Sequence, residues 1–227
     1  MNTKEILLEY PFIKNTASRI FWLLGRNRVK IKGRNNVIVH SGAFLRRCSI
    51  AINGSNNQII ISGNGITRLH DSKIKISGNN NVLRIGDSVS TSICVNMEDD
   101  GNQIILGDHF TGGGNSELAA IEGTSIVFGQ NCLLSTNIRV STGDSHSITD
   151  LYGKRTNRSR SVIIGEHCWI GNTVLIFKGT TIGANSMVGG GSVVPGKDFP
   201  ENSLIAGNPA TIVRNGVNWK YERIPVE

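Results

Sequence analysis

From Ile164 onward an aliphatic or small residue returns at every sixth position: Ile164, Ile170, Ile176, Ile182, Val188 and Val194, then more weakly Pro200 and Ala206. Glycine follows directly at Gly165, Gly171, Gly183 and Gly189. A small or β-branched residue stands four places after each apolar one, at Cys168, Val174, Thr180, Ser186 and Ser192. Six is neither the period of an amphipathic helix nor simple strand alternation. It predicts a short strand plus a corner, used three times per turn of a triangular solenoid, with the aliphatic side chain pointing into the prism.

The upstream half repeats more loosely. Gly33, Asn35 and Asn36 are echoed by Gly54, Asn56 and Asn57, by Gly78, Asn80 and Asn81, and by Gly101 and Asn102. Asn36, Asn57, Asn81 and Asn102 are 21, 24 and 21 residues apart, which predicts one 18-residue coil plus a small corner insertion. Alternation such as Lys73-Ile74-Lys75-Ile76 precedes the turns and reads as a half-buried strand. Asparagine and glycine at corners supply left-handed backbone and side-chain bonds to the main chain, so these asparagines are read as structural.

Residues 1–28 follow a different pattern. Ile6, Leu7 and Tyr10, then Ile20, Phe21, Leu23 and Leu24, predict a short amphipathic helical segment broken near Pro11. Arg26, Arg28, Lys30, Lys32 and Arg34 make a basic approach to the first coil. The segment reads as an end cap over the exposed solenoid edge. The alternative is an interfacial anchor giving peripheral association with an acidic membrane surface. The solenoid itself is placed at 29–214, with a protruding loop at about 142–161, and residues 215–227 form a C-terminal tail.

Composition narrows the class. A chain of 227 residues fits one domain. With 38% hydrophobic residues, 6% aromatic and 27 glycines, it lacks the bulk for a sandwich and has too much glycine for a helical bundle. The net charge of +7 favours an anionic partner, served equally by a phosphate-rich cofactor, an acidic glycan or nucleic acid. Cys48, Cys94, Cys132 and Cys168 are far apart, form no zinc or redox motif, and read as buried residues of a reducing compartment. Glu5, Glu9 and Lys14 interrupt any apolar leader, so a cytoplasmic location is expected.

The stretch Val162–Asn172, followed by Gly189–Val194 and Gly207-Asn208-Pro209-Ala210, closely resembles the hexapeptide-repeat acyltransferases. Within that superfamily it resembles the xenobiotic, maltose and galactoside acetyltransferases and the capsule or O-antigen O-acetyltransferases. The match covers about residues 126–214, and its ordered combination with Asp144-Ser145-His146 makes it specific. The resemblance implies an all-β, left-handed parallel β-helix, a hand opposite to the usual right-handed crossover. It also implies acetyl-CoA as co-substrate, no metal, a homotrimer, and a sugar hydroxyl on a glycan as acceptor. Nucleic acid is not among the partners it implies.

Acetyl transfer from a thioester to a hydroxyl needs a base for the acceptor proton and donors for the oxyanion. Among five histidines, only His146 sits in an irregular polar segment, and the resemblance makes it the base. Asp144 is the nearest carboxylate that could orient the imidazole, with Asp150 as competitor. Extending the register through Phe128, Leu134 and Val140 lands on His146, which would turn it inward. The composition of 142–161, rich in serine and glycine, predicts an outward loop instead. Within it, Lys154, Arg155, Arg158 and Arg160 are either a solvated charge run or a collector of phosphate or acidic glycan.

Trp169 lies one coil beyond His146. The resemblance places it against acceptor or thioester, and packing against a neighbouring subunit is the alternative. Residues 18 apart stack in a column, as Asn172 and Gly190 do, and the matching family positions touch the pantetheine arm. Lys197, Thr211 and Arg214 match the nucleotide end. Thr211 replaces a common basic residue, and the Pro195-Gly196-Lys197 run carries one residue more than the commonest pattern. Competing readings are an N-acetyltransferase on an amino nucleotide sugar, a carbonic anhydrase-like metalloenzyme, and a non-catalytic glycan-binding solenoid. The last two lack, respectively, convergent histidines and a need for the Asp144–His146 segment.

Overall fold

The computed structural model describes residues 3–40 and 42–225. The side chain of Ile6, counted among the apolar positions of the predicted cap, lies outside the described residues, as do residues 1, 2, 41, 226 and 227. Two helices, α1 (Thr3–Glu9) and α2 (Pro11–Leu24), open the chain. The rest winds into a left-handed parallel β-helix of about eight turns with three faces.

The first face is laid down by Arg28–Lys32, Ser49–Asn53 and Lys73–Ser77, and ends at Leu175–Ile176 and Val193–Val194. The second runs from Phe44–Arg46 and Arg68–His70 to Trp169–Ile170, Met187–Val188 and Ser203–Gly207. The third stacks eight strands from Val37–Val39 to Asp198–Phe199. The long strands Ser90–Glu98 and Thr111–Ile121 bend around the edge between the second and first faces and serve both.

Register follows the spacing read from the sequence. Arg28, Ser49, Lys73 and Cys94 stack at intervals of 21, 24 and 21, while Trp169 pairs with Met187 and Leu175 with Val193 at 18. Ile164, Ile170, Ile176, Ile182, Val188 and Val194 all point into the core. The six-residue series then slips. Ile182 pairs with Phe199 and Val188 with Ile205, so Phe199 and Ile205 fill the core in place of Pro200 and Ala206. The corner after Val194 is therefore one residue short of the six-residue register. Gly196 permits it, because a Cβ there would lie 2.1 Å from the Lys178 carbonyl oxygen.

At the edge between the first and third faces, the asparagines form a ladder. Each Oδ1 accepts from the main-chain N–H and Nδ2 of the next: Asn36 from Asn57, Asn57 from Asn81, and Asn81 from Asn102, all within 2.9–3.1 Å. Their Nδ2 groups also cap corner carbonyls, of Gly54, Gly78 and Asp99. Asn57, Asn81 and Asn102 are fully buried, so every polar atom of the ladder must be satisfied within it. Above Asn102 threonine takes over: Thr124 Oγ1 bonds Thr142 Oγ1 at 2.6 Å. The ladder thus leads from coil to coil up to the residue at which the chain leaves the solenoid.

The helical segment sits at the lower end of the solenoid, towards one side. α2 packs on Phe44–Arg46, with Phe21 edge-on to Phe44 and Asn27 bonding the Leu45 carbonyl. It covers the foot of the second face and its corner with the third, where Trp22 stacks on His40. Val29 and Ile31, in register with the buried Ile50 and Ile52, remain exposed, because no strand lies beneath them.

Removing one rung of the ladder tests its weight. Asn81→Ala leaves the buried Asn102 main-chain N–H without its partner and takes one of the bonds at Asn102 Nδ2 and at the Asp99 carbonyl, and should cost about 2 kcal/mol. Denaturant unfolding should show this, whereas Lys75→Ala on the exposed face should change stability by no more than about 0.5 kcal/mol.

Candidate active site

The chain leaves the solenoid at Thr142 and returns at Ser161, between strands Arg139–Ser141 and Val162–Ile164. The departure is tight: a Cβ on Gly143 would lie 2.3 Å from Ser159 Oγ and 2.4 Å from Ile121 Cδ1. Arg160 N–H donates to the Thr142 carbonyl at 2.9 Å and closes the neck. Beyond it the excursion folds on itself, with Thr156 N–H on the Ile148 carbonyl and Thr149 bridged antiparallel to Arg155. Leu151 and Tyr152 stand at its tip, fully exposed.

Asn157 is the centre of this loop. Its Nδ2 donates to the His146 carbonyl at 2.7 Å and to Asp144 Oδ2 at 2.8 Å. Its Oδ1 accepts from Ile148 N–H at 2.8 Å and Arg155 Nε at 3.1 Å. All four bonding sites of one buried amide are used, which fixes the backbone on either side of His146. Ser145 takes a left-handed φ of 58°, a turn conformation that L-residues adopt at some cost. His146 is exposed rather than inward, so its coincidence with the six-residue register is accidental. Among the described residues its ring has no hydrogen-bond partner.

Asp144 does not touch that ring. Its carboxylate is held by Lys178 Nζ and Asn157, the lysine first, and both keep its pKa below the ordinary carboxylate value. Asp150 is used in its own turn, accepting from Tyr152 and Lys154 N–H groups. Neither carboxylate orients the imidazole directly; Asp144 reaches the His146 backbone only through Asn157. Arg155, one of the four loop cations, is latched to Glu122, which also accepts from Ser159 Oγ. These two partners, Arg155 foremost, pull the Glu122 pKa down to about 2. Arg160 lies over Gly179 and Gly196. Lys154 and Arg158 remain exposed.

The other expected site residues fall elsewhere on the prism. Trp169 projects from the second face, its Nε1 3.4 Å from Ser135 Oγ and its ring 6.1 Å from that of Trp219. Asn172 and Gly190 do stack at the edge between the second and first faces: a Cβ on Gly190 would lie 3.2 Å from the Asn172 carbonyl oxygen, and Gly191 N–H bonds that oxygen. Thr211 and Arg214 lie exposed on the final strand, Ala210–Asn215, antiparallel to Ser203–Gly207. Lys197 does not join this column. It sits at the edge between the first and third faces, beside Lys178, with its ammonium 5.1 Å from the Phe199 ring centre. Glu122, Asn157 and Lys178 escaped sequence reasoning, since their contacts join coils with no shared spacing. Among the described residues no group of three His, Cys, Asp or Glu could hold a metal ion.

No family model matches the chain. A polysialic acid O-acetyltransferase of Neisseria meningitidis is 33% identical over 160 residues, which are 69% of this chain and 72% of that protein. The chain belongs to the hexapeptide-repeat acetyltransferases. The galactoside O-acetyltransferase of Escherichia coli is 33% identical to this hexapeptide-repeat acetyltransferase over 50% of the chain and 55% of the relative. The chain spans about half the length of several curated relatives that it matches. Two solved structures share most of the fold. The polySia-specific acetyltransferase NeuO has a TM-score of 0.78 at 28% identity over 86% of this chain and 89% of its own. The polysialic acid O-acetyltransferase OatWY has a TM-score of 0.76 at 29% identity, over 87% and 92%.

If Asn157 positions His146, Asn157→Ala should lower turnover on the acceptor by about tenfold or more while leaving the melting temperature of the solenoid nearly unchanged. Trypsin should then cut faster at Lys154 and Arg158. The Glu122 latch gives the pH sign: its folded pKa of about 2 lies below the ordinary 4.5, so it supports the loop fully above pH 4.5 and fails as pH falls towards 2. Amide exchange across 146–157 should rise over that window in the wild type. In Glu122→Gln it should be fast throughout.

Proposed function

We propose that this chain transfers the acetyl group of acetyl-CoA to a sugar hydroxyl, in the biosynthesis of a capsule, O-antigen or other glycan. The observation that carries this is His146, an imidazole with both ring nitrogens open, held out on an anchored loop. One nitrogen takes the proton of the acceptor hydroxyl while its oxygen attacks the thioester carbonyl. The tetrahedral intermediate expels the coenzyme A thiolate, which receives that proton from the imidazolium. Trp169 borders the thioester or acceptor, while Asn172 and Gly190 line the pantetheine arm. Thr211 and Arg214 lie towards the nucleotide. The relatives act by name on polysialic acid and galactosides, which supports a glycan acceptor here. The acceptor is met in the cytoplasm, at the inner face of the membrane.

The site is shared in a homotrimer in this reading. His146 stands at one edge of the prism, Trp169 on the opposite face, and Asn172 with Gly190 at another edge. A second copy brings its own edge against the first and completes the set. Leu151 and Tyr152, bare at the loop tip, give such a contact an apolar anchor.

His146→Ala should lose about 10²-fold or more in acetyl transfer to a glycan acceptor, with acetyl-CoA binding kept. Subunit exchange separates the shared site from a self-contained one. Mixed oligomers of His146→Ala and Trp169→Ala should regain activity that neither parent has. Absence of recovery in oligomers shown to be mixed rejects the shared site, and near-normal turnover of His146→Ala rejects the base.

The cofactor column has a steric test. A side chain at 190 already presses on Asn172, so an indole there is forced out across the groove. Gly190→Trp should raise the acetyl-CoA dissociation constant at least tenfold, about 1.4 kcal/mol. Arg214→Ala should weaken binding less, since one exposed cation contributes little in salt. Calorimetry on folded Gly190→Trp protein decides; unchanged affinity moves the cofactor elsewhere.

A further inference from the structure

α2 packs Trp22 and Phe21 on the solenoid and leaves a second apolar stripe facing outward. The residues buried against the solenoid are Lys14, 4% exposed, and Ser18, 2% exposed. Lys14 Nζ donates to the Asn64 carbonyl at 2.8 Å, and Ser18 Oγ accepts from Gly42 N–H at 3.1 Å. On the far side Phe12, Leu23 and Leu24 are 82%, 78% and 77% exposed, with Ile20 beside them at 51%. These bonds fix the helix in that orientation, so the apolar stripe faces away from the protein. The open first rung adds Val29 and Ile31 to the same end of the prism.

After Glu5 and Glu9 of α1, the charge along this part of the chain has one sign. Between Glu9 and Asp71 the chain carries ten lysines and arginines and no acid, more positive charge than the whole protein has net. Lys14 is used internally and Arg47 pairs with Asp71. The other eight are exposed, among them Arg19, Arg26, Arg28, Lys30, Lys32 and Arg34. We propose that the outer face of α2 and the cations of the first coil form a docking surface for an anionic lipid bilayer, on which the solenoid stands by its first rung. An apolar stripe flanked by cations matches the acyl boundary and anionic headgroups together. A soluble acidic glycan or nucleic acid would meet the cations but leave Phe12, Leu23 and Leu24 in water. A second copy of this end would set like charges against each other. This inference deepens the reading of a membrane-facing acetyltransferase, yet it stands or falls without any measurement of acetyl transfer.

Flotation of the full chain with vesicles tests it. The wild type should rise with phosphatidylglycerol–phosphatidylcholine vesicles and stay behind with phosphatidylcholine alone, and added salt should weaken the binding. Leu23→Ser/Leu24→Ser and Lys30→Glu/Lys32→Glu should each lower partitioning at least tenfold, with circular dichroism and oligomer mass unchanged. No flotation of the wild type with anionic vesicles overturns the proposal, as does equal flotation of the variants. A fall in oligomer mass for Leu23→Ser/Leu24→Ser in the absence of lipid also overturns it and makes this face a contact between copies. Binding of a soluble acidic polysaccharide in place of vesicles, unaffected by that variant, makes the patch a glycan surface instead.

Discussion

Everything in this molecule follows from the requirement that each coil lie directly on the one below, at the spacing of a parallel ladder, about 4.8 Å. Strand positions cannot gain or lose a residue without turning an aliphatic side chain outward. Corners can, because side chains supply part of their backbone bonding beside the coil-to-coil bonds. Coil lengths accordingly run from 17 residues to 36 while the inward aliphatic column stays unbroken. The asparagine ladder is the device that lets corners vary: each amide caps a carbonyl of the next corner with its Nδ2 and takes two donors of the next asparagine on its Oδ1. Where the corner grows into the His146 loop, the ladder has already changed to Thr124 and Thr142, whose shorter side chains leave room for Gly143 to depart over Ile121.

That separation explains what could be read from the sequence. The inward column from Ile164 to Val194 and the corner asparagines were legible because ladder geometry writes them at fixed intervals. The outward turn of His146 was legible from loop composition, against the numerical register. The shift to Phe199 and Ile205 was not, because a shortened corner leaves only a phenylalanine one place early, and nothing local marks it. The anchoring of the loop was hidden for another reason. Asn157, Glu122 and Lys178 meet through a fold that brings three different corners together, so no spacing connects them. The orientation of α2 was ambiguous in principle, since amphipathic periodicity identifies two sides of a helix and not which side faces the protein. Lys14 and Ser18 decide it through bonds to Asn64 and Gly42.

The distribution of chemistry over the prism bears on how such a fold acquires function. A solenoid has no natural cleft: its core is filled by its own aliphatic column, and its faces are flat. Here the protruding loop and the Asn172–Gly190 column stand on different edges. The Glu122–Arg155 latch and the Asn157 amide hold the loop in place from within the chain.

The two ends of the solenoid are unlike, and the difference bears on fibre growth. A stack of parallel rungs is in principle an open polymer, since the top of one molecule presents the hydrogen-bonding edge that the bottom of another would extend. At the upper end the second face terminates in Ala210–Asn215, whose antiparallel course reverses the bonding pattern, and the neighbouring edges, Val193–Val194 and Asp198–Phe199, are two residues long. At the lower end Arg28–Lys32 is a full five-residue edge, with Arg28, Lys30 and Lys32 along it. Head-to-tail addition therefore meets a mismatched strand on one side and a row of charge on the other. The repeat that builds the fold is kept from continuing beyond one chain.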